Sequence, residues 1–128
     1  MVAANRSDSY GISMLRQAGV ETIVISKETN PVVAARCRKM NVPFVQGEDD
    51  KPSALKRVLV ERKIEPSNTV YVGNDVNDLP CFPLVGWGVA VADALPEVKR
   101  QADYVLCQPG GHAAVREICD LILHMKGD

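Results

Sequence analysis

The sequence has almost no net charge. Fifteen Lys and Arg face sixteen Asp and Glu, giving −1 over 128 residues. That excludes a sequence-wide basic field of the kind that holds nucleic acid. Long apolar runs are missing too. Stretches such as Thr22 to Ile25 and Leu84 to Ala92 fall far short of the roughly 20 residues a membrane helix requires. The start, Met1 to Ser9, is polar and lacks the apolar stretch of a signal peptide. Nine Gly and eight Pro are ordinary numbers that exclude collagen-like or low-complexity chains. Aromatic residues make up only 5%. What the sequence does have is 46% hydrophobic and 24% charged residues, which excludes a disordered chain and fits one soluble domain over 1–128.

Four cysteines, Cys37, Cys81, Cys107 and Cys119, form no CxxC pair, and with His112 and His124 they make no zinc pattern. Cys37 and Cys119 fall inside helical patterns, as buried free thiols do. The expectation is a reduced, cytoplasmic chain.

Short β-rich runs alternate with helical patterns along the whole length. Helices are expected over Ser9 to Ala18 (with Gly19 as its stop), Asn30 to about Met40, Asp50 to Lys63, about Asp78 to Leu84, a turn near Pro96 to Arg100, and His112 to about Lys126. Strands are expected at Val20 to Ser26, Val42 to Gln46, Thr69 to Val72, Gly88 to Ala92 and Asp103 to Leu106. Strands spaced by helices predict an α/β fold, a doubly wound parallel sheet of Rossmann-like type. In such sheets ligands sit at the carboxyl ends of the strands.

Three features stand at those ends. Gly73-Asn74-Asp75-Val76-Asn77-Asp78 follows a strand and is rich in oxygen ligands. Such a loop suits a hard cation such as Mg²⁺, and equally a turn of Asx bonds with an N-cap for the next helix. Ser26 ends another strand and is either a donor to an anion or an N-cap. Lys51 opens a helix and either offers its ammonium to a phosphate or is a solvated first-turn lysine.

Taken in order, a strand ending in Ser26, then Lys51, then a strand ending in GNDVND resembles motifs two, three and four of the haloacid dehalogenase (HAD) superfamily. SYGISMLRQAG (Ser9 to Gly19), VISKETNPVVAARC (Val24 to Cys37), YVGNDVNDLPCF (Tyr71 to Phe82), VAVADALPEVKRQADYVL (Val89 to Leu106) and GGHAAVREICDLIL (Gly110 to Leu123) resemble one branch of it. This branch comprises the capless phosphatases of 3-deoxy-2-keto sugar acid phosphates, including 3-deoxy-D-manno-octulosonate 8-phosphate phosphatases. It also includes the C-terminal domain of some CMP-acylneuraminate cytidylyltransferases. The resemblance implies a Mg²⁺-dependent phosphomonoesterase acting on a phosphorylated sugar acid, and a homo-oligomer with no nucleic-acid or membrane partner. It implies Ser26 as the phosphate-binding residue and Lys51 as the cation that balances charge on the nucleophile and phosphoryl group. Asn74, Asp75 and Asp78 are implied as the metal-binding positions, and Asp8, Lys27 and Arg116 as substrate-side residues. For Arg116 a salt bridge to Asp120, four residues on, is an equal reading.

The sequence departs from the family where the chemistry starts. The family's nucleophile and general acid/base are the aspartates of a DxDG motif, and the 128 residues contain no DxD. Without that nucleophile no phosphoenzyme forms, so the chain as it stands is expected to be nearly inactive, a HAD domain lacking its first strand. The resemblance places that strand at the sheet centre, between the strand at Val20 to Ser26 and the one at Thr69 to Val72. These two strands are therefore expected to pair directly or to be bridged by another segment or chain. Asn74 stands where Asp is commoner, which predicts weaker Mg²⁺ binding. Lys27 and Glu28 stand where many relatives have Gly and Arg, and His112 where GGRG is commoner. Two functions fit: the phosphatase, and a non-catalytic HAD-like module associated with an acylneuraminate cytidylyltransferase. A doubly wound binding domain of the CheY type explains the sheet but not the shared order of motifs.

Overall fold

The computed structural model describes residues 6–26, 29, 31–108 and 114–127. Its elements run α1 (Arg6–Gln17), β1 (Val24–Ile25), α2 (Pro31–Met40), β2 (Phe44–Val45), α3 (Lys51–Glu61), β3 (Val70–Gly73), β4 (Trp87–Ala90), α4 (Pro96–Gln101), β5 (Tyr104–Val105) and α5 (Ala114–Gly127). Two 3-10 segments, Pro66–Asn68 and Val76–Leu84, flank β3. Every strand pair is parallel, which is the expected α/β architecture. Among the described residues, no helix is long and apolar enough to cross a membrane.

Each element follows from local chemistry. Asp50 caps α3 by accepting from the Ser53 amide (3.2 Å) and hydroxyl (2.7 Å), and Pro52 lies in the first turn, where its missing N–H costs nothing. Leu55, Val58 and Leu59 repeat at helical spacing and are buried, as expected. Gly19 follows α1 with a φ of +83°, a conformation open to glycine at little cost. The segment expected as a short α-helix at Asp78 to Leu84 is instead a 3-10 segment from Val76. Pro80 and Pro83 remove two amides that an α-helix would use.

The sheet is in two parts, β1–β2 and β3–β4–β5. The amides of Val24 and Ser26 donate to Pro43 (3.0 Å) and Val45 (2.9 Å), so the backbone groups of Ile25 point to the opposite edge. The carbonyls of Thr69 and Gly73 accept from Trp87 (3.2 Å) and Val91 (3.3 Å), so those of Val70 and Val72 likewise point away from β4. Among the described residues these two edges do not pair and no strand bridges them. Direct pairing of the two strands, one of the expected outcomes, is thus not formed.

Helices join the halves instead. The larger core gathers Leu55 and Leu59 of α3, Tyr71, Phe82, Val89, Val98, Leu106 and Ile118. The smaller gathers Ile12, Leu15, Val24, Cys37, Val42 and Cys119. Ile25 of β1 packs on the larger core, α3 packs on β1, and Ile122 of α5 packs on both cores.

All four cysteines are thiols outside any disulfide; Cys37, Cys81 and Cys119 are buried and Cys107 is exposed. Burial raises the Cys37 and Cys81 thiols above their ordinary range. A disulfide reagent at pH 8 is expected to titrate one thiol rapidly in the native chain and the other three only on unfolding. Rapid reaction of two or more would contradict this packing.

Candidate active site

The parallel strands bring their carboxyl ends to one edge, and there the residues of the GNDVND loop meet Lys51. Asp78 is 2% exposed, the most deeply buried charged side chain described. One of its oxygens, Oδ1, accepts from Lys51 Nζ at 3.0 Å and from the Tyr71 hydroxyl at 2.6 Å. The other, Oδ2, accepts from the backbone amides of Asn74 (2.9 Å) and Asp75 (3.2 Å). The loop holds this geometry by reciprocal capping. Asp75 starts the 3-10 segment and its carboxylate accepts from the Val76 amide at 2.6 Å, while Asp78 reaches back to the Asp75 amide. Gly73 is required by proximity: a Cβ there would lie 2.6 Å from the Asp78 Cβ.

Charge balance follows from this packing. Burial pushes the Asp78 carboxyl up, but the bonds from Tyr71, the Asn74 amide and Lys51 outweigh it and hold the carboxyl below the ordinary carboxylate range. For Tyr71, burial and the Asp78 carboxylate both raise the phenol far above its ordinary value, so it remains a donor. The Lys51 side chain, 12% exposed, reaches the site paired with the Asp78 carboxylate at 3.0 Å.

Ser26, 8% exposed, directly follows β1. Its carbonyl accepts from the Glu48 amide at 3.2 Å, which ties the end of β1 to the loop that leads into α3 and Lys51. Arg116 pairs through Nε with both oxygens of Asp120, at 2.9 and 3.1 Å, which is the salt-bridge reading of that residue. Asp8 lies in α1, and its side chain, like Lys27, Glu28 and His112, falls outside the described residues.

A Mg²⁺ ion prefers six oxygen ligands in near-octahedral array. Both Asp78 oxygens are already bonded twice by protein donors, and an Asp75 oxygen is taken by capping. Among the described residues no three His, Cys, Asp or Glu side chains gather so as to hold a metal ion. Of the expected trio of Asn74, Asp75 and Asp78, Asp78 is committed to the protein's own donors, and Asn74 and Asp75 are the residues of this loop that would hold Mg²⁺. Among the described residues the buried Asn77 Oδ1 finds no hydrogen-bond partner.

Sequence reasoning missed Tyr71. A usable signal was there: a buried Tyr needs a partner for its hydroxyl, and this one stands in an aliphatic strand two residues before the loop.

The model for haloacid dehalogenase-like hydrolases matches residues 12–115. The chain belongs to this family. Within it, the HAD chain is 39% identical over 126 residues to the 3-deoxy-D-manno-octulosonate 8-phosphate phosphatase KdsC of Escherichia coli K12, covering 98% of this chain and 67% of that protein. It is 35% identical over 130 residues to N-acylneuraminate cytidylyltransferase A of Danio rerio, covering 98% of this chain and 30% of that one. A HAD family hydrolase from Streptomyces avermitilis superposes with a TM-score of 0.90 at 50% identity, over 96% of this chain and 71% of that one. The 3-deoxy-D-manno-octulosonate 8-phosphate phosphatase of Moraxella catarrhalis, solved with magnesium, phosphate and KDO, superposes with a TM-score of 0.88 at 32% identity, over 92% and 68%.

Replacing Asp78→Asn in this HAD chain strands the Lys51 ammonium and is expected to cost about 3 kcal/mol, read by urea unfolding at pH 7. Because the folded-state carboxyl is held low, its contribution is present above the unfolded value of about 3.9 and is lost as pH falls through the depressed value. The stability gap between the unaltered chain and Asp78→Asn is thus expected to narrow below about pH 4. A gap independent of pH would contradict the ion pair.

Proposed function

We propose that this chain supplies the phosphate-binding and charge-balancing half of a phosphatase. Its substrate class is a 3-deoxy-2-keto sugar acid phosphate, an octulosonate 8-phosphate or a nonulosonate 9-phosphate. The observation that carries the reading is the Lys51 ammonium, held at 3.0 Å by a buried carboxylate at the edge where the strands end. Phosphoryl transfer needs mainly positioning and positive charge around the equatorial oxygens. Lys51 offers that charge and Ser26, at the end of β1, a hydroxyl. On the substrate side the resemblance adds Asp8, Lys27 and Arg116. The relatives' phosphatase names and the Moraxella complex with phosphate and KDO support the substrate class.

The reaction also needs a nucleophile, and no DxD occurs in the 128 residues. Among the described residues the facing edges of β1 and β3 are unpaired, and a strand carrying those aspartates would pair there. In this reading such a strand completes both the sheet and the Mg²⁺ ligand set, with Asn74 and Asp75 as this chain's contribution. The complete protein is then a Mg²⁺-dependent, cytoplasmic homo-oligomer. A second reading rests on the missing nucleophile and the Danio rerio relative: a non-catalytic HAD-like module associated with an acylneuraminate cytidylyltransferase.

Phosphate release from the 8- and 9-phosphates, with Mg²⁺, separates the two. The 128-residue chain is expected to be silent, and a version extended by a DxDG strand from a relative is expected to turn over. Silence from both favours the binding module; turnover by the unextended chain overturns the nucleophile argument. Separately, Asn74→Asp gives the loop a carboxylate, so Mg²⁺ is expected to raise the unfolding temperature of this variant more than that of the unaltered chain. An equal rise in both removes Asn74 from the metal site.

A further inference from the structure

Glu117 stands in the first turn of α5, and its carboxylate accepts two consecutive backbone amides from the loop after β5. Cys107 N–H donates to Oε2 at 2.9 Å and Gln108 N–H to Oε1 at 2.8 Å. A carboxylate receiving two amides makes strong, charge-assisted bonds and fixes the orientation of both peptide groups. The Gln108 carbonyl in turn accepts from the Ala92 amide at 3.0 Å, in the loop after β4. That loop turns tightly, with Ala94 donating to Val91 at 3.1 Å, and its Leu95 amide donates to the Asn74 carbonyl at 3.3 Å. The Asn74 amide donates to Asp78 Oδ2, and Asp78 holds Lys51. An unbroken series of bonds and short covalent steps therefore crosses the carboxyl ends of β5, β4 and β3 and finishes at the lysine.

We propose that Glu117 is a positioning residue for the Lys51–Asp78 site, acting through this series of loops. Nothing in its side chain touches the site; its effect is to hold the loop after β5, which holds the loop after β4, which holds the Asn74 carbonyl. The neighbouring Arg116–Asp120 pair lies on the same helix, bonded at 2.9 Å. It therefore serves as a control for general loosening of α5. The consequence for phosphate handling rests on the phosphatase reading, whereas the coupling itself does not and is measured without turnover.

Spatial continuity alone does not establish coupling, so the test reads each step. Amide hydrogen exchange by NMR is compared in the full chain, Glu117→Ala, Glu117→Gln and Asp120→Asn. In Glu117→Ala, exchange is expected to quicken by roughly tenfold or more at Cys107 and Gln108, and also to quicken at Ala92, Leu95 and Asn74. The Asn74 amide resonance is expected to shift, while Val58 and Leu59 in α3 stay protected. Glu117→Gln, which keeps one acceptor oxygen, is expected to fall between, and it carries the test if the alanine variant does not fold. Quickening confined to Cys107 and Gln108 would reduce Glu117 to a local clasp and overturn the proposal. So would an Asp120→Asn variant that moves Asn74 equally. Failure of the phosphatase assay with this pattern intact would count against the phosphatase reading and leave the coupling standing.

Discussion

One buried carboxylate organises the functional edge. Removing a charge from water costs several kcal/mol even after relaxation, and Asp78 is almost wholly removed. It is tolerable because four donors from three directions meet it: a lysine from α3, a phenol from β3 and two amides from its own loop. Each donor is thereby fixed in return. The loop cannot turn away without leaving a charge unsatisfied, and Lys51 cannot swing out without leaving the same charge unpaired. Much of the edge depends on keeping that group ionised and dry.

The fold is arranged to deliver those donors. Parallel strands set their carboxyl ends along one edge, and α3 spans the two parts of the sheet with its first residue at that edge. The Asp50 cap, the Glu48 tie to Ser26 and the close fit of Gly73 against Asp78 each remove a freedom that the lysine would otherwise have. Stability and site geometry share the same contacts here, because the Tyr71 ring packs edge-on against Phe82, at 6.1 Å between centroids, while its hydroxyl serves Asp78.

Much of this was legible in the sequence. The Leu55, Val58 and Leu59 periodicity, the Gly19 stop and the β3 run followed by GNDVND all fell where the chain pattern put them, because each depends on neighbours within a few residues. The lengths of β1 and β2 did not, since a strand's extent is set by how far its partner runs alongside, and these two pair only Val24 with Phe44 and Ile25 with Val45. The 3-10 form of Val76–Leu84 turned on two prolines whose effect reading helix periodicity alone passes over. At the site, Lys51 was legible as a helix-opening residue and Asp78 as part of a strand-end loop, but their partnership spans 27 positions and is set by packing. Asp78 read as a metal ligand because an acidic loop shows its composition and hides which oxygens the protein has already used. Tyr71 offered only the signal of a lone tyrosine in an aliphatic strand, and Glu117 offered none, because their roles lie in what they hold in place.

The division of the sheet has a mechanical consequence. Among the described residues the smaller half gathers six buried residues and a two-residue ladder, the larger a broader core and three strands. Ser26 follows the strand of the smaller half, while Asp78 packs with the larger and is bonded to Lys51. An anion gripping both Ser26 and Lys51 would act as a cross-brace between the two parts, so that affinity for it and resistance to their separation become two readings of one free energy.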